Sequence, residues 1–196
     1  ELKTPLTAIR GVVETILNDK EMEQETLWHF LQRVQNQTDR LVNIVSDLMA
    51  LSRLESGRSQ NLEPVSLNAV LKQSLKSFSA IALEKSIQLE HNLDSLAEER
   101  IKILGDVHAL GQLFDNLIDN AIKYTATQGK VELNVQLSQD KQFTLVRVKD
   151  NGIGLSKVDQ ARIFERFYRV DKGRSRELGG TGLGLSIVKH IVDIVA

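Results

Sequence analysis

His108 to Thr125 reads HALGQLFDNLIDNAIKYT, and the fold turns on this stretch. Asn116, Asn120 and Lys123 fall at i, i+4 and i+7, so on a helix they stand above one another on a single polar face. Leu110, Leu113, Leu117 and Ala121 repeat at three- and four-residue steps on another stripe, which the pattern buries against a sheet. Two neutral amide oxygens one turn apart, with a lysine a turn further on, suit a hydrated hard cation and a phosphate better than a core. A solvated helix face explains the same three residues, and what separates the two readings lies downstream.

Asp150-Asn151-Gly152-Ile153-Gly154 follows an alternating run and sets an acid at a strand end, where bare backbone lets a flat ligand approach. IFERFYR (163–169) leads through a charged stretch, 170–178, into GGTGLGLS (179–186), which opens a helix. Gly180, Gly182 and Gly184 invite a dinucleotide reading, but that fingerprint needs a preceding strand and an acid about 20 residues on. Neither is present. Bare amides at a helix start still make an anion site, so phosphate binding survives without that fold.

Upstream, Leu2, Leu6, Ile9, Val13 and Ile16 predict a first helix over 1–18, with Pro5 tolerable in its first turn. After a polar break, Leu27, Leu31, Val34, Thr38, Leu41, Val45 and Leu48 alternate four- and three-residue steps as a heptad seam. Phe30, Ile44 and Leu51 widen that stripe beyond what one antiparallel partner covers. The pattern therefore predicts a helical hairpin that dimerises into a four-helix bundle, with a monomeric hairpin packed on the rest of the chain as the alternative. ESGRSQNLEPV (55–65) is polar, contains Gly57 and Pro64, and reads as a linker.

The expected domains are a hairpin over 1–56, a linker over 57–65 and an α/β sandwich over 66–196, giving an α+β fold class with helices on one face of a mixed sheet. Ser66 can N-cap a helix running to about Lys85. Ile87 with Leu89, and Ile101 with Ile103, mark short strands. The alternation Val131, Leu133, Val135, Leu137 pairs with Phe143, Leu145 and Val148 through a turn over 138–142.

Of 196 residues, 41% are hydrophobic and 26% charged, ordinary for a soluble globular chain with a sizeable core. Twenty-five basic against 26 acidic side chains leave a net charge of −1 and no polybasic footprint, so neither nucleic acid nor an anionic membrane is the expected partner. Zero cysteines exclude disulfides, thiolate metal sites and a Cys nucleophile, and fit a reducing compartment. No apolar run approaches the roughly 20 residues that span a bilayer, and no signal peptide is visible. The helical pattern already running at Glu1 and the uncapped stretch 187–196 read as a piece of a longer chain.

Taken in order, these motifs resemble the cytoplasmic kinase core of bacterial two-component sensor histidine kinases. ELKTPLTAIRG (1–11) is similar to the phosphoacceptor box and DNLIDNAIKYT (115–125) to the first nucleotide box. DNGIG (150–154) and GGTGLGLS are similar to the two glycine boxes, and IFERFYR to the segment between them. The resemblance spans essentially the whole chain, and the run 170–192 looks most like the phosphate-regulon sensors.

The resemblance implies an ATP-binding domain of the histidine kinase, gyrase and chaperone type, with Mg²⁺. Asp150 would accept a hydrogen bond from the adenine amino group, with Gly152 and Gly154 leaving room for the ring. Asn120 and Asn116 would ligate the Mg²⁺ that bridges the phosphates, Lys123 would meet a phosphate, and Tyr124 would pack beside the nucleoside. Gly180, Thr181, Gly182, Leu183 and Gly184 would line the phosphates. In a lid over 168–180, one or more of Arg169, Lys172, Arg174 and Arg176 would reach the γ-phosphate. Glu1 would be the acid–base residue beside the phosphoacceptor, and Thr4 would orient water when the partner is dephosphorylated. A first-turn acid and a helix-start hydroxyl also explain Glu1 and Thr4 without function.

The family's phosphorylated histidine stands immediately before the position of Glu1, where this chain begins. His29, His91, His108 and His190 do not replace it by position. The expectation is a homodimeric fragment that binds ATP without phosphorylating itself. Its parent would pass the phosphoryl group to an aspartate of a response regulator receiver domain, and would be anchored in the bacterial inner membrane by segments outside this chain. Related ATP-driven clamps carry a water-activating glutamate where this chain has Asn116, and a neutral amide cannot act as a general base. Phosphoryl transfer is thus favoured over the alternatives, a hydrolytic clamp of the same fold or a noncatalytic dimeric scaffold.

Overall fold

The computed structural model describes residues 2–55, 62–95, 101–138, 143–171 and 179–195. Helices α1 (Lys3–Asn18) and α2 (Gln24–Glu55) form the hairpin. Inward on α1 stand Pro5, Ile9, Val12 and Ile16, while Leu6, Val13 and Leu17 are exposed. On α2 the covered stripe runs through Leu27, Phe30, Val34, Gln37, Leu41, Ile44, Leu48 and Leu51, again at three- and four-residue steps. The seam expected through Leu31, Thr38 and Val45 is not the one this chain covers. Those three lie exposed with Val42 and Met49, because the residues that widened the stripe are turned toward α1 and the second domain.

The second domain begins with β1 (Glu63–Ser66), antiparallel to β3 (Lys102–Gly105) with Val65 opposite Ile103. The end of the expected linker is therefore strand. A three-stranded sheet is ordered β2 (Gln88–His91), β4 (Lys130–Leu137), β5 (Thr144–Asp150), parallel between β2 and β4 and antiparallel between β4 and β5. The sheet is mixed as expected, but Ile103 belongs to the separate two-stranded piece. The tip of the β4–β5 turn lies outside the described residues; at its base Ser138 N–H donates to the Phe143 carbonyl at 2.8 Å.

Val131, Leu133 and Val135 point to one side of β4 and are at most 2% exposed. Alternate residues face out, where Lys130 Nζ bridges Glu90 at 3.0 Å and Glu132 at 2.5 Å. Helices α3 (Leu67–Glu84), α4 (Val107–Tyr124) and α6 (Gly184–Val195) contribute Leu71, Leu110, Phe114, Ile118, Ile122, Ile187 and Ile191 to the core cluster that covers the inner side. A single turn, α5 (Lys157–Gln160), precedes the second glycine loop. As expected, Ser66 caps α3, its side chain accepting from Ala69 N at 3.4 Å.

Helix α4 is fixed at both ends. Asp106 Oδ1 accepts from His108 N at 2.8 Å and Ala109 N at 2.9 Å, a cap worth about 1 kcal/mol. At the other end Lys85 Nζ donates to the carbonyls of Ile122 at 3.0 Å and Lys123 at 3.3 Å, satisfying acceptors that the helix leaves open. Leu110, Leu113 and Ala121 are buried as the spacing predicts, Leu117 is half-buried, and Phe114, Ile118 and Ile122 complete a wider apolar face.

The hairpin docks on this domain. Leu51 joins the second domain's core cluster, Glu55 pairs with Arg166, and Thr181 Oγ1 donates to Asp47 Oδ2 at 2.7 Å. Among the described residues no helix is long and apolar enough to cross a membrane.

Burial pushes the Asp47 carboxyl above its ordinary 3.8, while the Thr181 hydroxyl and Lys123 pull it back and Asp119 adds to the rise. The folded chain thus holds this proton more tightly than the unfolded one. The stabilisation is fully present below the ordinary value and is lost as pH rises through the raised one. Asp47→Asn should therefore be more stable than the parent chain at pH 7.5, by less than about 1 kcal/mol given solvent screening. Thermal unfolding should show that margin shrinking as pH falls through the raised value and absent below 3.8. In the core, Ile118→Ala should cost about 2–5 kcal/mol by denaturant titration, while Asn120→Ala on the opposite face should change stability by about 0.5 kcal/mol or less.

Candidate functional site

A cleft of about 1560 Å³ lies between the polar face of α4, the turn after β5, residues 168–171, the loop 179–184 and the middle of α2. It exceeds the roughly 300–1000 Å³ of ordinary small-molecule sites. From α4 it receives Gln112, Asp115, Asn116, Asp119, Asn120, Lys123 and Tyr124.

Asn116 is oriented by its own helix, its Nδ2 donating to the Gln112 carbonyl at 2.9 Å. That leaves Oδ1 turned onto the bare Cα of Gly184, where an added Cβ would stand 2.5 Å away. A carboxamide oxygen and the first peptide of α6 thus share one point of the cleft, which combines a hard oxygen ligand with the positive end of a helix. Lys123 Nζ is held on Asp119 Oδ2 at 2.5 Å, both side chains 29% exposed.

The first glycine turn is seated on α4. Ile153 N–H donates to the Tyr124 carbonyl at 3.3 Å, and a Cβ on Gly152 would come within 2.4 Å of that oxygen. Gly152 therefore packs against the end of α4 and does not itself line the cleft. Asp150 Oδ1 accepts from Gly152 N at 2.9 Å, and Asn151 Oδ1 from Lys130 N at 2.8 Å, so the turn is tied down on both sides. Asp150, Ile153 and Gly154 line the cleft, with Gly154 at φ +67.

The second glycine loop is equally constrained. Gly182 has φ +77, and its carbonyl accepts from Phe167 N at 2.8 Å. Gly180, Thr181, Gly182 and Gly184 line the cleft. Leu183 is fully buried in the core, so its side chain serves packing and only its backbone belongs to the loop. Thr181 Oγ1 accepts from Leu183 N at 3.2 Å and donates to Asp47.

The structure therefore brings Asn116, Asn120, Lys123, Tyr124, Asp150, Gly154, Arg169 and the second glycine loop to one cleft. Thr4 is exposed on α1 and does not line it. Glu1, Lys172, Arg174 and Arg176 lie outside the described residues. Asn43, Ser46 and Asp47 of α2, and Asp115 and Asp119 of α4, line the cleft without having been expected there. The two α4 acids flank Asn116 and Asn120 on the same helical face and were open to inference; the α2 residues lie over sixty positions upstream, with no local signal.

A metal or nucleotide fits these donors in a particular way. Among the described residues no three His, Asp or Glu side chains gather as a metal cage. Amide oxygens beside a helix start suit a hard cation that keeps waters and takes phosphate oxygens as ligands, which is the habit of Mg²⁺.

Two family models match the chain: the histidine kinase-, DNA gyrase B- and HSP90-like ATPases over residues 105–195, and the His Kinase A (phospho-acceptor) domain over residues 1–57. Sensor histidine kinase WalK of Bacillus subtilis is 35% identical over 194 residues, 98% of this chain and 31% of that protein. Phosphate regulon sensor protein PhoR of Pseudomonas aeruginosa is 36% identical over 193 residues, 98% of this chain and 42% of that protein. The chain spans less than half the length of these relatives. Acinetobacter baumannii histidine kinase AdeS superposes with a TM-score of 0.75 at 26% identity, over 98% of this chain and 85% of that one. Full-length ShkA in complex with AMPPNP superposes at 0.68 with 28% identity, over 97% of this chain and 38% of that one. With the phospho-acceptor hairpin and the ATPase-type domain both matched, in that order, the chain belongs to the two-component sensor histidine kinases and carries their kinase core.

Proposed function

We propose that this chain binds Mg-ATP in the cleft and presents the γ-phosphoryl group to a histidine just before Glu1, within a homodimer whose parent relays the group to a response regulator aspartate. The observation that carries the reading is Asn116 Oδ1 turned onto the bare Cα of Gly184, beside Asn120 and Lys123. The bound AMPPNP named for ShkA, at 28% identity, supports it.

In this reading Asp150 takes the adenine amino group, Gly152 and Gly154 keep that turn free of side chains, and Tyr124 borders the nucleoside. Asn120 and Asn116 hold Mg²⁺, which when bound neutralises charge on the phosphates. Lys123 exchanges its Asp119 partner for a phosphate as a point charge. The loop from Gly180 to Gly184 offers backbone donors, and Arg169, with Lys172 of the lid, adds positive charge. Little covalent chemistry falls to these residues; they act by positioning and charge neutralisation. Asn116 cannot serve as a general base, which disfavours hydrolysis. Glu1 then assists proton transfer at the acceptor, and Thr4 orients water in any reverse reaction on the regulator.

The domain assignment keeps the expected hairpin over 1–56, but the linker expected over 57–65 shortens to 57–62 and the nucleotide domain starts at β1, over 63–196 in place of 66–196. Exposed Leu6, Val13 and Leu17 of α1 with Leu31, Val42, Val45 and Met49 of α2 form the face that a second hairpin covers. The response regulator docks on the same bundle, and the parent is held at the inner membrane by segments outside this chain.

Isothermal titration should give Mg²⁺-dependent binding of AMPPNP, reduced more than about tenfold by Gly184→Ala, whose methyl displaces the Asn116 carboxamide. Equal affinity without Mg²⁺, or an unaffected Gly184→Ala, would refute the site. Incubation with γ-labelled ATP should leave the chain unlabelled, and a histidine added before Glu1 should restore a base-stable, acid-labile label. Vigorous multiple-turnover hydrolysis would instead favour the clamp.

A further inference from the structure

The segment between the two glycine loops is tied by side chains that the phosphate site itself does not use. Ser156 caps α5, its Oγ accepting from Asp159 N at 3.1 Å and donating to Asp159 Oδ2 at 2.5 Å. The other carboxylate oxygen, Oδ1, accepts from the Tyr168 hydroxyl at 2.7 Å. Arg162 lies over the Tyr168 ring, 4.3 Å from its centroid, and its NH2 nitrogen bonds Glu165 Oε2 at 3.0 Å.

This cluster leads directly to the cleft, because Tyr168 and Arg169 both line it. Phe167 stands in the left-handed region at φ +62, and its N–H donates to the Gly182 carbonyl at 2.8 Å. A Cβ on Gly182 would crowd Phe167 Cα at 3.0 Å and Arg169 Nε at 3.2 Å, and its φ of +77 strains any side chain there, so the two segments lie in close contact. A non-glycine residue holds such a backbone only where its surroundings over-determine it. Here the ties sit on either side of the peptide that orients Arg169, one at Gly182 and one at Asp159.

We propose that Asp159 is a positioning residue of the nucleotide site: through the Tyr168 hydroxyl it fixes the turn at Phe167 and so holds the Arg169 guanidinium against Gly182, at the terminal phosphate. The proposal rests on the Mg-ATP reading given above. Ser156 and then Tyr168 hold the Asp159 carboxyl below the usual carboxylate range, so at neutral pH it is an ionised acceptor and its bond to the phenol is charge-assisted. Arginine carries a long, mobile side chain, and a guanidinium held beforehand against the phosphate loop loses less freedom when a phosphate arrives. The Arg162 stack alone fixes the ring plane; the hydroxyl bond sets how far along the cleft wall the ring sits.

Tyr168→Phe keeps the stack and removes only the hydroxyl, and Asp159→Asn keeps the shape and removes the charge. Both are compared with Arg169→Ala in the intact chain, by isothermal titration with Mg-AMPPNP and with Mg-ADP. Each of the first two variants should weaken Mg-AMPPNP by roughly three- to tenfold, the range of one lost hydrogen bond, and Mg-ADP by less than about twofold, with thermal midpoints close to the parent's. In the Arg169→Ala background, Tyr168→Phe should add nothing further, because it acts only through the arginine. An additive loss in the double variant, an equal loss for both nucleotides, or no loss in Tyr168→Phe would overturn the proposal. Failure of the nucleotide reading itself appears separately, as absence of Mg-AMPPNP binding by the unsubstituted chain, and would overturn the proposal with it.

Discussion

Helix α4 must be dry on one side and wet on the other, and the second domain is arranged to hold it so. Ile118 and Ile122 are essentially fully buried over the sheet, while Asn116, Asn120 and Lys123 on the reverse face line a cleft shared with the hairpin. A polar row in that position drifts unless the helix is fixed in rotation and in depth. Asp106 at its start, Lys85 across its last carbonyls and the core stripe beneath supply that fixation. Each glycine turn is then placed relative to α4. The first rests on the Tyr124 carbonyl and the second on the Asn116 carboxamide, and in both a side chain at the contact glycine would collide.

What the sequence made legible was periodic or local. The two faces of α4, the Ser66 cap, the alternation of β4 with β5 and the glycine turns all follow from side-chain spacing or backbone freedom within a few residues. The apolar face of α4 is wider than the stripe of Leu110, Leu113, Leu117 and Ala121, because Phe114, Ile118 and Ile122 continue it at the same three- and four-residue steps. The seam of α2 divides for a different reason: a helix with two partners carries two overlapping stripes, and spacing alone does not say which stripe meets which partner. Strand β1 was hidden in a polar, proline-containing run because its partner lies nearly forty residues later and its edge position needs few apolar side chains.

The polar ties were least legible. Asp47 meets Thr181 across 134 residues and Lys85 reaches Ile122 across 37, so neither has a signal in its own neighbourhood. Such contacts are fixed by the tertiary arrangement, and they set how the hairpin lies on the cleft. Asp47 puts a carboxylate from the hairpin within hydrogen-bonding distance of the second glycine loop, at the cleft. Contact between hairpin and loop is therefore sensitive to charge as well as to fit.

In the proposed function the polar row of α4 and the start of α6 grip a metal-bound triphosphate together. Manganese is a direct probe, because this paramagnetic ion takes the place of Mg²⁺ at hard oxygen sites and broadens the NMR signals of nuclei close to it. With AMPPNP present, small additions of Mn²⁺ should first erase the side-chain amide signals of Asn116 and Asn120 and the backbone signal of Gly184, leaving the far face of the sheet intact. Broadening that begins at the surface acids of β4 or along α1, with those three groups untouched, would contradict the account.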